Sequence, residues 1–567
     1  MSNIKALFSE KKVSRTLKVS IAIVVIALSF VLVKSFRTTA QTPVSKQVTT
    51  RVTIGNAAPS FTSGPAEATA STADNPTAAG GTVTFNATAT DSNGQSYYLI
   101  VCSVAGIDAS TRNCTGTGAV QYCNTTTATA SGTATSCSYT ATTTSFVNPW
   151  FAYVCDADPT APACSGAAQG TGDSGSPFYV NHAPTFTAIT NTSPANPGGS
   201  ITWNATASDS DGNTVKLLVC KTANMANGVC TDGAWCESSA TASNPSCTYN
   251  VPTVAADGSN NAYVFVVDQY NIAATGTAQG STSNFTINNV APVVSNVTLN
   301  NGSAITLTAK ATTSVPLTAN VVDLNGCSAT EIPTVQGYIY RTDATCDSSA
   351  NNDYNHCYAQ ILCTQDAGSC NASAGTATYT CTANIQYYAD PTLANTVHAG
   401  KSWTGKVTAT DNNSASHSAT STGVQMNTLL SFDITDEINY GSLGVGEIDN
   451  ETNLPQELVT TPTGNVGLNQ SHEGTQMCTD YPTCAGATIS VGSQRYGTTS
   501  TTRYDDGMAL TGSPVLVSLQ IPKVTDHTQP ITTGTTWWGI QIPTGTTAGT
   551  YTGQNTIVSS MSPSANW

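Results

Sequence analysis

The sequence predicts an all-β protein built as a tandem array of β-sandwich domains. Only 9% of its residues are charged, and it is rich in Thr, Ser, Asn, Gly and Pro, which favours strands and turns over helices. Apolar residues recur with a period of two, as at Ile201, Trp203, Ala205 and Ala207, the pattern of a strand with one buried face. The same succession of linker, strand and turn then occurs three times along the chain.

Each repeat begins with Asn-x-Ala-Pro and continues into an alternating strand, which ends in the turn Asp-x-Asn/Asp-Gly. Asp and Gly favour a turn because a short carboxylate bonds its own backbone and glycine admits positive φ. A repeat of roughly a hundred residues is a domain rather than a solenoid unit. The linkers start at Asn56, Asn181 and Asn289, and the turns start at Asp91, Asp209 and Asp323.

A chain of 567 residues has room for roughly four domains of about 150 residues each. The fourth is predicted to be a C-terminal β-sandwich with strands at 429–434 and 515–521, closed by a hairpin formed by 537–542 and the final strand through Val558. The expected boundaries are 56–181 for domain 1, 182–290 for domain 2, 291–427 for domain 3 and 428–567 for domain 4.

The basic N-terminus leads into an uncharged, largely apolar run from Val19 to Val33. Its fifteen residues span roughly 22 Å as a helix, less than the ~30 Å hydrocarbon core of a membrane. Residues 1–40 are therefore predicted to be a secretory signal peptide or an N-terminal membrane anchor, followed by a polar leader at 41–55. Both alternatives export the rest of the chain, which meets a membrane only through this segment if it stays uncleaved.

The charge is unevenly distributed. Residues 1–51 carry nine Lys/Arg and one acid, whereas residues 52–567 carry ten Lys/Arg and thirty-three acids. Such an acidic surface has no basic stripe for phosphates, which excludes nucleic acid as a partner, and it is compatible with divalent cations.

The cysteines favour export into an oxidising compartment. They fall into sets of six, four, six and two across the four domains, the even numbers that closed disulfide sets require. No close Cys-x2-Cys pair of the kind that binds zinc occurs. Each bridge adds about 2 to 4 kcal/mol. We predict disulfides, with the pairing open, at Cys102, Cys114, Cys123, Cys137, Cys155, Cys164, Cys220, Cys230, Cys236, Cys247, Cys327, Cys346, Cys357, Cys363, Cys370, Cys381, Cys478 and Cys484.

The linkers, the turns and an aspartate after a late strand of each repeat (Asp156, Asp268 and Asp411) resemble bacterial immunoglobulin-like domains of the cadherin and PKD type. The resemblance covers residues 56–427. The whole chain looks like the tandem surface proteins of bacteria that coat their cells with S-layers or fibres. It implies Ig-like sandwiches outside the cell, on the surface of a bacterium, and no required cofactor, with calcium as a candidate ligand at the domain junctions.

In an Ig-like sandwich the loops after the early and late strands leave at one pole, which would bring these aspartates together at the junctions. Calcium takes six to eight oxygen ligands. The chain departs from cadherins by replacing their acidic linker with asparagine, and metal-free Asp-Gly turns are the alternative. The candidate ligands are Asp91, Asp156, Asp209, Asp211, Asp268, Asp323 and Asp411, with Asp209, Asp211 and Asp268 the best set.

The stretch from Gly172 to Pro177 (Gly-Asp-Ser-Gly-Ser-Pro) resembles the serine motif of chymotrypsin-like proteases. That family places its histidine and aspartate before the serine, whereas the first histidine here, His182, follows it. We therefore predict a turn, no catalytic residues and no enzyme. The other histidines are predicted to lie at the surface: His356, His398, His417, His472 and His527.

These observations predict an exported structural protein of the cell surface, a subunit of an S-layer, fibre or stalk. Disulfide-stapled sandwiches in a stiff row would associate with themselves or with other cell-surface proteins. The alternative is an adhesin that presents its loops to a glycan or a protein on other cells. A secreted hydrolase is a third class, for which the sequence offers no site.

Overall fold

The computed structural model describes residues 46–450, 453–526 and 528–567. Regular structure in these residues is β-strand, apart from short 3₁₀ turns at Gly172–Ser174, Asn300–Gly302, Ser349–Asn351, Val491–Ser493 and Ser564–Asn566. The predicted all-β class is confirmed. Within the described ranges no helix is both long and apolar enough to cross a membrane. The signal peptide or anchor predicted for residues 1–40, and the first part of the leader, lie outside them.

Domain 1 is a two-layered sandwich whose two main sheets are antiparallel, with β2 and β11 paired in parallel beside them. Its strands are β1 (Ser60–Glu67), β2 (Thr77–Ala78), β3 (Thr82–Thr90), β4 (Tyr97–Cys102), β5 (Ile107–Asp108), β6 (Asn113–Cys114), β7 (Gln121–Asn124), β8 (Ala134–Thr140), β9 (Val147–Asn148), β10 (Phe151–Asp156) and β11 (Phe178–Asn181). One sheet has the order β1-β3-β8 and the facing sheet β10-β4-β7. Between them lies a core in which the rings of Phe85 and Trp150 meet edge to face, with centroids 5.1 Å apart.

Domain 2 repeats this plan. Its strands are β12 (Thr185–Asn191), β13 (Ser200–Ser208), β14 (Val215–Cys220), β15 (Met225–Ala226), β16 (Val229–Cys230), β17 (Ala234–Glu237), β18 (Ser246–Asn250), β19 (Gly258–Asn260), β20 (Tyr263–Asp268) and β21 (Phe285–Ile287). The sheets have the orders β12-β13-β18 and β17-β14-β20. The predicted alternation holds on β13, where Ile201, Trp203, Ala205 and Ala207 point into the core.

Domain 3 joins the two layers into one curved sheet. Its strands are β22 (Val293–Leu299), β23 (Thr313–Val322), β24 (Thr334–Arg341), β25 (Cys357–Gln365), β26 (Thr376–Ile385), β27 (Trp403–Thr410) and β28 (Ser416–Thr420), in the order β22-β23-β26-β25-β24-β27-β28. The layers are continuous because β25 pairs with both β24 and β26.

Domain 4 is a separate sandwich with its own core. Its strands are β29 (Phe432–Ile434), β30 (Gln456–Pro462), β31 (Leu468–Gly474), β32 (Met477–Cys478), β33 (Thr488–Ile489), β34 (Gln494–Gly497), β35 (Met508–Ala509), β36 (Val515–Ile521), β37 (Gly534–Ile540) and β38 (Asn555–Met561). The sheets have the orders β29-β30-β37-β34-β35 and β36-β31-β38. The predicted C-terminal hairpin is wrong, because β37 and β38 belong to opposite sheets.

The first three domains are Ig-like sandwiches. In each, an early strand (β3, β13 or β23) pairs with the domain's first strand and with a later strand (β8, β18 or β26), while the late strand (β10, β20 or β27) pairs with β4, β14 or β24 in the opposite part of the fold. A tryptophan is fully buried in every core: Trp150, Trp203, Trp403 and, in domain 4, Trp538. The Ig-like fold predicted from the sequence is therefore confirmed.

Every cysteine is bridged, and each bridge stays inside one domain. This confirms the prediction of disulfides throughout. It also indicates an oxidising compartment, and so an extracellular or cell-surface protein. The pairs are Cys102–Cys114, Cys123–Cys137, Cys155–Cys164, Cys220–Cys230, Cys236–Cys247, Cys327–Cys370, Cys346–Cys357, Cys363–Cys381 and Cys478–Cys484.

Candidate functional site: the domain junctions

The aspartate that ends each late strand organises the end of its domain. In domain 2, Asp268 Oδ1 accepts the backbone N–H groups of Tyr270 and Ile272 at 2.9 and 2.8 Å. In domain 3, Asp411 Oδ1 accepts the corresponding N–H groups of Asn413 and Ala415 at 2.9 and 2.8 Å. One carboxylate oxygen thus fixes the turn, and the other is free to face the preceding linker.

That second oxygen accepts the side-chain amide of the linker asparagine. Asn289 Nδ2 donates to Asp411 Oδ2 at 2.9 Å, and Asn181 donates to Asp268 in the same way. Asn56, which follows the leader, donates to Asp156 and also to the carbonyl of Ala161. We call each of these pairs an Asn–Asp clasp. A charged acceptor makes such a hydrogen bond stronger than a neutral one.

A second contact beside each clasp holds the next linker residue. Its backbone N–H donates to the third residue of the Asp-x-Asn/Asp-Gly turn. The three bonds are Ala57 N to Asn93 Oδ1 at 2.8 Å, His182 N to Asp211 Oδ2 at 2.6 Å and Val290 N to Asn325 Oδ1 at 2.7 Å. Each turn also has an internal hydrogen bond, in which its first aspartate accepts the backbone N–H of that third residue. Two adjacent contacts restrict a linker more than one.

A fourth junction of related design precedes domain 4. Asn465 Oδ1 accepts the N–H of Leu429 at 2.6 Å, and its Nδ2 donates to the carbonyls of Asn427 and Ala389, both at 3.0 Å. Asn325 makes the same set of contacts at the junction of domains 2 and 3. The sequence did not reveal this copy, because Thr463 stands where the motif has aspartate. The asparagine two residues later was the available signal.

His182 bridges domains 1 and 2. Its Nδ1 lies 2.8 Å from Asp211 Oδ1, and its Nε2 lies 2.8 Å from the carbonyl oxygen of Thr143. Both partners are acceptors, so both ring nitrogens donate only when the imidazole is protonated. Burial lowers the pKa of His182, but the bonds to Thr143 and Asp211 outweigh it, and the pKa lies above its ordinary value. Tyr270 adds a further bond between these domains through Ala73.

The junctions also contain buried side-chain oxygens without a hydrogen-bond partner: Oδ2 of Asp91, Asp209 and Asp323, Oδ1 of Asn56 and Asn289, and Oε1 of Glu331. Three of the six lie at the junction of domains 2 and 3, where Asp323 is 0% exposed. Burial, and then the charges of Asp411 and Asp257, raise the pKa of Asp323. Burial also raises the pKa of Glu331, and nearby Asp323 adds to this shift. This junction is electronegative and rich in unbonded oxygens.

The seven predicted calcium ligands therefore lie at the junctions, but their carboxylates are not equivalent. Those of Asp156, Asp268 and Asp411 are occupied by N–H donors, and that of Asp211 faces His182. Among the residues that the structure describes, no three His, Cys, Asp or Glu side chains gather into a metal-binding group. Any cation here would rely on asparagine and backbone oxygens as well.

The protease-like stretch forms a 3₁₀ turn at Gly172–Ser174 ahead of β11. Ser176 Oγ accepts the N–H of Trp150 at 2.8 Å. The ring of His182 is engaged by Asp211 and Thr143 instead. The stretch is thus a structural turn.

The surface prediction is wrong for His472, which is 0% exposed. Its ring stacks on Trp538 with centroids 5.2 Å apart, and Nε2 lies 3.1 Å from Gln470 Oε1. Alternation explains the burial, because position 472 falls on the inner face of β31. His417 is exposed, His356 and His398 are partly buried near Asp390, and His527 lies outside the described residues.

No protein-family model and no curated protein matches the chain. Solved structures that it matches include a marsupial T cell receptor, at 10% identity and a TM-score of 0.24 over 61% of this chain and 96% of that one. Another is the full ectodomain of mouse nectin-like molecule 4, at 9% identity and a TM-score of 0.25 over 61% and 95% of the two chains. These TM-scores are too low to support an argument, so the Ig-like assignment rests on the strand pairing described above.

Proposed function

We propose that this chain is an exported structural protein of a bacterial cell surface, a stiff row of sandwiches that serves as a subunit of a fibre, stalk or S-layer. The observation that carries the proposal is the repeated Asn–Asp clasp. A receptor or enzyme needs one specialised site, whereas the recurring polar residues of this chain lie at the joints between domains.

The clasps favour a stiff row because two of them, Asn181–Asp268 and Asn289–Asp411, join neighbouring domains across a short linker. The proline of Asn-x-Ala-Pro fixes one more backbone angle there. The disulfides act within the domains, where each adds about 2 to 4 kcal/mol against unfolding. Disulfides thus reinforce the domains and clasps reinforce the joints, as a protein that resists mechanical force outside the cell requires.

Lateral association of copies would complete such a material. The small sheet of domain 4 has two edge strands, β36 and β38, and edge strands are templates for pairing with another chain. Leu516 and Val558 lie opposite Ser471 on either side of β31 and share its face. Both are exposed. The occupant proposed for this edge is a second copy of the chain.

We also propose that calcium strengthens the junction of domains 2 and 3. Asp323, Glu331 and Asn289 have buried oxygens free for a hard cation there. The set Asp209, Asp211 and Asp268 is less suitable, because His182 already balances Asp211. A cation bound only by the folded chain raises its melting temperature. Calcium should therefore raise the Tm of the wild type and not that of Glu331→Gln, whereas equal Tm values in EDTA and calcium would contradict the site.

Small-angle scattering and negative-stain microscopy of the exported chain test the main proposal. We expect extended particles of fixed length at low concentration, and ordered sheets or filaments at high concentration or with calcium. Leu516→Lys should prevent assembly and leave the particle shape unchanged. Monodisperse particles under every condition would contradict self-assembly and favour the adhesin alternative, which binding to glycans or cells would then test.

A further inference from the structure

A buried group of charges joins domains 3 and 4. At its centre Asp390, which is 5% exposed, receives Arg341 of domain 3 on one oxygen and Lys523 of domain 4 on the other. Lys523 is 7% exposed, and its Nζ lies 2.5 Å from Asp390 Oδ1. The joint between these domains lacks the Asn–Asp clasp, so this group takes its place.

Lys523 also touches a side-chain amide. Its Nζ lies 2.9 Å from Asn355 Oδ1. Because a carbonyl bond is about 1.23 Å long, Nζ is within about 4 Å of the carbonyl carbon, near the range of a reactive encounter. The chain's other lysine–carboxylate pairs differ. The side chain of Lys310, which also joins domains 3 and 4, is 69% exposed, and its Nζ donates to Asp433 Oδ2.

The amide of Asn355 is fixed in one orientation. Its Nδ2 donates to Asp353 Oδ1 and to the carbonyl of Thr525, both at 2.7 Å. Its backbone carbonyl accepts the N–H of Asp390 at 2.8 Å. The side-chain carbonyl is therefore turned toward Lys523. Burial lowers the pKa of Lys523, although the charge of Asp390 opposes this shift. The lowered pKa favours the neutral, nucleophilic amine.

We infer that Lys523 and Asn355 form a covalent amide bond between domains 3 and 4, with Asp390 carrying the protons. Asp390 is not the acyl partner, because its two oxygens are paired with Arg341 and Lys523 and a carboxylate is a poor electrophile. The neutral amide of Asn355 is the better electrophile, and it can lose ammonia as the leaving group.

The steps balance without any co-reactant. The Lys523 ammonium gives one proton to Asp390 Oδ1, and the free amine attacks Asn355 Cγ. In the tetrahedral intermediate Asp390 gives a proton to Nδ2 and takes one from the attacking nitrogen. The Cγ–Nδ2 bond breaks and ammonia leaves with the last proton from Asp390. An ammonium and a primary amide thereby become a secondary amide and an ammonium ion, and Asp390 ends as a carboxylate.

Arg341 is the positioning residue of this group. It binds Asp390 Oδ2 and, through Nε, Asp343 Oδ1 at 2.6 Å. This leaves only Oδ1 of Asp390 to face the lysine. The bond would close the joint that lacks a clasp, and it does not depend on whether the rods associate.

Peptide mass spectrometry of the exported full chain tests the inference. After reduction and digestion beside aromatic residues, we expect one species in which the peptides of Lys523 and Asn355 are joined, with a mass about 17 Da below their sum. The intact mass alone does not suffice, since an N-terminal glutamine such as Gln41 loses the same mass on cyclising. The fragment spectrum of the joined peptides must therefore place the link.

Lys523→Arg keeps the charge but should show only separate peptides. Asp390→Asn should leave most of the chain unjoined. Lys310→Arg, which alters the exposed pair at the same interface, should retain the joined species in full. The peptide map of the wild type tests the inference even if a variant misfolds. Recovery of Lys523 and Asn355 in separate wild-type peptides would overturn the inference, and so would a loss of about 18 Da located at Asp390.

Discussion

Asn181 Nδ2 donates a hydrogen bond to Asp268 Oδ2 across 87 residues of sequence, and the bond joins the last strand of domain 1 to the late strand of domain 2. Both side chains are buried, at 2% exposure each. Loss of the amide would leave a buried carboxylate oxygen without a donor.

Asn181→Ala should therefore loosen the joint between domains 1 and 2 and cost about 1 to 3 kcal/mol. Small-angle scattering should show a broader distribution of shapes than for the wild type. Asn191→Ala is the matched control, because Asn191 makes its hydrogen bonds to Ser283 and Asn284 within domain 2. It should destabilise that domain without altering the shape distribution. Identical scattering from wild type and Asn181→Ala would contradict a mechanical role for the clasp.

The joint between domains 1 and 2 should weaken as the pH rises. The pKa of His182 is raised in the folded chain. Its contribution is therefore complete below the ordinary value of about 6.5 and is lost as the pH rises through the folded pKa. Above that pH one ring nitrogen becomes an acceptor facing another acceptor. Scattering at pH 5.5 and 8.5 should show a stiffer particle at the lower pH, and His182→Gln should remove the difference. A joint whose stiffness does not change with pH would refute the assignment.

Domain 4 should respond to pH in the opposite sense. Burial lowers the pKa of His472 to about 4. Between pH 6.5 and 4 the unfolded chain binds a proton that the folded domain does not, so stability falls with pH by up to about 3 kcal/mol. His472→Phe keeps an aromatic ring beside Trp538 and should remove this component. The measurement is the difference between the two denaturation curves at pH 7.5 and 4.5, and an equal loss in both proteins would contradict the prediction.

The sequence predicted the repeated elements well because their signals are local. Alternation placed Trp203 in its core, and strand β36 has the predicted bounds. The C-terminal hairpin failed for a physical reason. The connection from β37 to β38 is longer than the 2 to 5 residues usual for a hairpin and crosses to the other sheet.

The sequence predicted the position of the junction aspartates but not their hydrogen-bond partners. The pole of an Ig-like sandwich predicted that the aspartates would converge, but not that asparagine amides would occupy them. The group around Asp390 could not be foreseen, because Lys523 lies 133 residues from Asp390 and 168 from Asn355. No periodicity or motif links such positions. They meet only because domain 4 docks on domain 3.

The disulfides should differ in value according to the loops they close. In the chain-entropy account a bridge stabilises the fold by restricting the unfolded chain, and the effect grows with the logarithm of loop length. Cys327–Cys370 spans 43 residues and Cys478–Cys484 spans 6. Replacing the first pair with alanine should cost about 4 kcal/mol, and replacing the second about 2 kcal/mol.

Denaturant unfolding that follows domain 3 and domain 4 separately measures both costs. Trp403 and Trp538 provide a buried fluorophore in each domain, so each is replaced with phenylalanine in turn to assign the signal. Because both bridges lie within single domains, neither double substitution should change the shape of the folded chain. A larger loss from the short bridge than from the long one would show that native contacts, rather than loop entropy, determine what these bridges contribute.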